Sequence, residues 1–119
     1  MHQYKELKVW QKAIELVSDI YRITACFPEK ERFGLVSQIN RAAVSIPSNI
    51  AEGAGRNSDK EFVQFLAIAH ASTYEVETQL IISKNLGYLL DSDLEEMLDK
   101  IIELQKMNYV FQQKLKSKY

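Results

Sequence analysis

Apolar side chains recur along this 119-residue chain at alternating spacings of three and four, through four stretches separated by the few residues able to stop a helix. Leu7, Trp10, Ile14, Val17, Tyr21 and Thr24 form the first stripe and predict a helix over 4–26. Phe27-Pro28 ends it, because the residue before a proline is pushed out of the α region, and 28–31 reads as a loop. Val36, Ile39, Ala43, Ile46 and Ile50 predict a second helix over 33–54, stopped by Gly53 and Gly55. Pro47 lies inside it and removes the donor that the Ala43 carbonyl needs, at a cost of about 3 kcal/mol in an exposed helix. The spacing stays in phase through Ile50, so the expectation is one helix kinked at Pro47, not two shorter ones. Ser58-Asp59-Lys60-Glu61 is a capping box opening a helix over 58–86 with Phe62, Phe65, Ala69, Thr73, Val76 and Leu80 on its stripe. Gly87 supplies the turn. Ser92-Asp93-Leu94-Glu95 reads as a second box, opening a helix over 92–117 with Leu94, Met97, Ile101, Leu104, Phe111 and Leu115. Four helices of similar length with short connections make an all-α fold, an antiparallel up-down four-helix bundle filling a single domain over 1–119. Trp10, Ile39, Ile46, Phe65 and Leu104 are the expected core anchors.

The chain carries four glycines and two prolines, too few for a turn-rich β fold. No stretch approaches the roughly 18 apolar residues of a spanning helix, and the first residues are followed by no apolar signal core. The lone Cys26 has no partner for an internal disulfide, which suits a reducing, cytoplasmic setting; beside Ala25 and Phe27 it reads as a small core residue. Net charge is −1 but unevenly spread. Residues 57–111 carry four basic against ten acidic side chains, whereas Lys114, Lys116 and Lys118 make a basic tail.

No catalytic constellation is legible, and the chain reads as a non-enzyme without a cofactor. The two histidines, His2 and His70, do not follow a glutamate by three, which excludes the di-iron bundle pattern. Cys26 has no histidine near it in sequence to act as a base. Gly53-Ala54-Gly55-Arg56 matches no phosphate cradle. What does stand out is a polar set on helix 2: Asn40, Arg41, Ser45, Ser48, Asn49, Glu52 and Arg56, at spacings that put side chains on one face. It reads either as a hydrogen-bonded seam around Pro47 or as a binding surface, with Glu75 of helix 3 a candidate partner for Arg41 or Arg56. Helix 3 also carries more apolar surface than one seam uses, at Val63, Leu66, Tyr74 and Ile81, and a partner subunit is the simplest cover.

Leu7-Lys8-Val9-Trp10-Gln11-Lys12-Ala13, Phe27-Pro28-Glu29-Lys30-Glu31 and above all the run Gln38 to Gly53, containing Ser45-Ile46-Pro47-Ser48-Asn49-Ile50-Ala51-Glu52-Gly53, resemble the bacterial 23S rRNA intervening-sequence protein family of four-helix bundles. The resemblance continues through Glu61-Phe62 and Phe65 to Ala69. It implies a bundle assembling as a ring of five, and nucleic-acid binding by a basic ring surface. The motif positions carried over are Arg41, Pro47, Asn49, Glu52, Gly53 and Arg56, with no catalytic residue among them. Asn40 departs from the pattern, standing where many relatives have a second arginine.

Two functions follow as expectations. One is an oligomeric scaffold that binds RNA or a ribonucleoprotein through Arg41, Arg56 and Lys60, with Pro47, Asn49, Glu52 and Gly53 structural. The other is a protein–protein adaptor using the acidic surface of helices 3 and 4. Neither involves a membrane.

Overall fold

The computed structural model describes residues 2–119. It contains four α-helices: α1 Lys8–Thr24, α2 Leu35–Ala54, α3 Asp59–Asn85 and α4 Asp91–Lys116. Short 3-10 turns, Tyr4–Glu6 and Glu29–Glu31, precede α1 and α2. No strand occurs among the described residues, and the body measures 46 × 24 × 20 Å. Among the described residues no helix is long and apolar enough to cross a membrane.

Each helix packs on two neighbours, α1 on α2 and α4, α3 on α2 and α4, and the diagonal pairs do not approach. The arrangement is therefore square, with the α1/α2 side opposite the α3/α4 side. Chain positions that rise on one helix fall on the next. Thr24 donates to Asn40 (3.1 Å), Ser45 to Ser72 (2.5 Å) and Asn108 to the Leu66 carbonyl (3.1 Å). On the fourth seam Lys100 reaches Asp19 (2.6 Å) and Lys12 reaches Glu103 (3.4 Å). Asp19 is otherwise shielded, and its burial would raise its pKa. The hydrogen bonds and charges of Lys100 and Arg22 outweigh that burial and hold the carboxyl below its usual range.

α2 is a single helix with Pro47 buried inside it. Asn49 donates to the Ser45 carbonyl (2.7 Å), back across the turn that the proline occupies. Ser58 caps α3 by accepting from the Glu61 amide (3.2 Å), as expected. Its hydroxyl donates to the Glu61 carboxylate (3.1 Å), so that carboxylate turns to the side chain of Ser58 and not to its amide. The second box does not form. α4 starts at Asp91, behind Leu90, and has no side-chain cap, so Ser92 lies within its first turn. Asp91 and Asp93 occupy that turn instead, where carboxylates favour the helix dipole.

Ile39, Ile46 and Leu104 are buried as expected. Trp10 and Phe65 are half-buried, contrary to expectation. In α1 the core face is Val9, Ala13, Leu16, Ile20 and Thr24, one position away from the stripe with the larger side chains. Ala13 and Ala43 are wholly buried. Small residues at the seams let backbones close up, so bulkier Trp10, Ile14 and Tyr21 are left toward the rim. Phe65 is displaced by Gly53. A Cβ at Gly53 would sit 2.6 Å from the Phe65 Cβ, so α2 and α3 are in near-backbone contact there. The Phe65 ring turns outward. Cys26 is exposed, not in the core, because it lies past the end of α1, on its outer side.

Candidate functional site

The polar set on α2 does not converge. Asn40 points to α1 through Thr24, Ser45 points to α3 through Ser72, and Asn49 bonds within its own helix. Glu52 forms no ion pair with Arg56 and Glu75 forms none with either arginine. Glu75 instead accepts from Gln79 (3.4 Å), while Glu77 is half-buried and accepts from Gln105 (3.2 Å). Arg41 is exposed over a shallow groove of about 410 Å³ that it shares with Phe33, Ser37, Ser45 and Glu75. The Arg56 guanidinium lies over the Phe65 ring, 4.8 Å from its centroid, a cation–π contact that keeps the charge at the surface. Arg41 lies thirteen positions before Ala54, the end of α2, ~20 Å along the axis at 1.5 Å per residue, and Arg56 follows that end by two residues. They belong to different parts of the surface.

Lys60, one residue past the start of α3, is exposed at the same end of the bundle as Arg56. That end is assembled by His2, a residue with no motif to announce it. Its backbone amide donates to the Ala54 carbonyl (3.0 Å) and its Nε2 to Asp59 (3.0 Å). Its ring packs on Phe62 (4.9 Å) and edge-on to Phe111 (6.3 Å). The start of the chain is thereby pinned across the end of α2, the start of α3 and the last third of α4. The His2 hydrogen bond holds the Asp59 carboxyl below its usual range, against a smaller opposing effect of burial, and the nearby charges of His2 and Lys118 act the same way. Residues 2–10, 52–64 and 108–119 meet here and carry seven lysines and arginines against four acidic residues.

The opposite end has the reverse balance. Tyr88 donates to Glu31 (2.9 Å), which raises its pKa, and its ring packs on Phe27 (5.7 Å). Residues 22–35 and 84–96, joined through these contacts, carry four basic and six acidic side chains.

Apolar surface is exposed on two opposite sides. On the α1/α2 side Trp10, Ile14, Val17, Val44 and Pro47 line a groove of about 330 Å³, with Ile14 and Val44 exposed. On the α3/α4 side Tyr74, Ile102, Tyr109 and Val110 are exposed around a groove of about 380 Å³. His70 sits in this second groove, edge-on to Tyr74 (5.2 Å). Its Nδ1 is buried with no hydrogen-bond partner, and burial lowers its pKa. Among the described residues no group of three histidine, cysteine or acidic side chains is placed to hold a metal ion.

These features define a class: a square four-helix bundle with one basic end, one acidic end and two apolar flanks. The chain belongs to the 23S rRNA-intervening sequence protein family, whose sequence model matches residues 5–110. Among solved structures it is similar to a protein of unknown function from the S23 ribosomal protein family of Bacteroides thetaiotaomicron. The identity is 25%, covering 87% of this chain and 97% of that one, with a TM-score of 0.78. No match was found among curated proteins.

Proposed function

We propose that the protein is a non-enzymatic homo-oligomeric scaffold that binds RNA or a ribonucleoprotein through the basic end of its bundle. The observation that carries this reading is the gathering of Lys5, Lys8, Arg56, Lys60 and the tail lysines at one end, from three segments far apart in sequence. Phosphate contacts supply most of the affinity for a nucleic acid, and repeated copies of a modest patch add up. Arg41 lies outside this patch and serves as the internal comparison. In a salt titration with a short labelled RNA, Arg56→Ala with Lys60→Ala should weaken binding and flatten the slope of log affinity against log salt by about 2, one for each lost contact. Arg41→Ala should change it far less. If a folded double variant binds RNA as the parent does, the basic end is not the interface and the adaptor reading takes over.

The assembly rests on the two apolar flanks. They differ in sequence and lie on opposite sides of the square, so joining one to the other is a head-to-tail contact, the kind that closes into a ring when the rotation allows. Five subunits is the number that the family resemblance implies. Light scattering at micromolar concentration should show no dominant species of 13.8 kDa. Ile14→Glu or Tyr109→Glu, each at an exposed flank position, should dissociate the assembly while leaving the helical content unchanged. A clean monomer in the parent protein would sink the ring.

A further inference from the structure

The α1–α4 seam is the loosest of the four, and toward the basic end it opens into a groove of about 540 Å³. Val9 forms its buried floor and Leu7, Met107 and Phe111 its half-buried walls, with Val110 exposed at its edge. The remaining lining residues are Lys8, Lys106 and Lys114. Among the described residues no acidic side chain lines the groove and none of the three lysines takes part in an ion pair, whereas Lys12, Lys84 and Lys100 all do. The trough is thus apolar along its length and bordered by uncompensated positive charge.

The geometry points to a binding site for a free anionic amphiphile, a medium-chain carboxylate, lying along the α1–α4 seam. The apolar residues take the chain. Lysine ammonium groups at the border take the carboxylate, since a lysine buries its stem on apolar surface and keeps its head in water. Lys106 and Lys114 stand eight positions apart on α4, ~12 Å at 1.5 Å per residue, the scale of such a chain. The volume falls in the range of small-ligand sites, roughly 300–1,000 Å³. A nucleic acid fits the lining poorly, because apart from ammonium groups the groove offers no side-chain donor or acceptor for a base edge.

The test is a calorimetric titration of the full chain with decanoate, decanol and inorganic phosphate. Decanoate should bind saturably at one site per chain. Decanol should bind at least tenfold more weakly and phosphate not at all. Lys106→Ala with Lys114→Ala should weaken decanoate at least tenfold while leaving decanol unchanged. Both positions are exposed, so unchanged circular dichroism is expected in the double variant. Equal affinity for decanoate and decanol would show that the lysines play no part, and phosphate binding as tight as decanoate would reduce the site to surface charge. Either result overturns the proposal, as does the absence of saturable binding.

Discussion

Ile46→Ala is expected to lower the unfolding free energy by about 2–5 kcal/mol, the usual cost of removing a large aliphatic side chain from a packed interior. Ile46 has no exposed surface, and it lies one turn beyond Ala43 and one turn before Ile50, both also wholly buried. With small residues at Ala42 and Ala43 already bringing the helices together, little side chain is available to collapse into the vacancy. The substitution therefore loses both the transfer of the side chain from water and the contacts around it. Domains of this kind are held by about 5–15 kcal/mol, so the loss is a large fraction of the total. Urea unfolding followed by circular dichroism, at one fixed protein concentration so that assembly does not confound the comparison, measures it. A change well under 1 kcal/mol would remove Ile46 from the core.

Gly53→Ala is expected to destabilise the protein although alanine is the better helix former. The propensity difference favours alanine by about 1 kcal/mol. Against it, the new Cβ would meet the Phe65 Cβ at 2.6 Å and the Phe62 Cδ1 at 2.7 Å. The first of these is fixed to the α3 backbone and cannot rotate away. The helices must separate at their closest point, and overpacking of this kind costs about 1–3 kcal/mol. A net loss of up to about 2 kcal/mol follows, larger for Gly53→Val, whose branched side chain adds bulk without the helix benefit. Separation of α2 from α3 also tilts the platform that carries Arg56 over Phe65. Gly55→Ala is the control, since its Cβ would meet only backbone oxygens at ordinary contact, 3.6 and 3.8 Å. A stabilised Gly53→Ala variant would mean that the two helices yield at little cost.

Much of this was legible before any coordinates. Helix positions followed from periodicity because an amphipathic helix must bury one stripe, and the Ser58 cap followed from a local hydrogen bond that needs only its own four residues. The long motif through Pro47 and Gly53 likewise identified the family. Reading failed where the outcome depended on a neighbouring helix. Size was a poor guide in α1, where Ala13 took the core position and Trp10 the rim, because the distance between backbones decides which side chain fits. The Ser92 cap failed because Leu90, Asp91 and Asp93 offered α4 an earlier start, and a motif of four residues does not exclude its neighbour.

By itself, then, the sequence determined the class of fold, the number of helices and most of the seam residues, since these rest on contacts within one turn or on a pattern repeated along one helix. Only the tertiary structure decided which charges stand together. Arg41 and Arg56 read as one cluster, yet Arg41 lies thirteen positions before the end of α2, ~20 Å along its axis, and Arg56 follows that end. Arg56, Lys60, Lys8 and Lys118 come from three segments and share one end, because four helices packed in a square return the chain to that end and His2 ties it there. Spacing along the chain reports distance within a helix and is silent about distance between helices, which is set by where the turns fall and which small residues allow close packing.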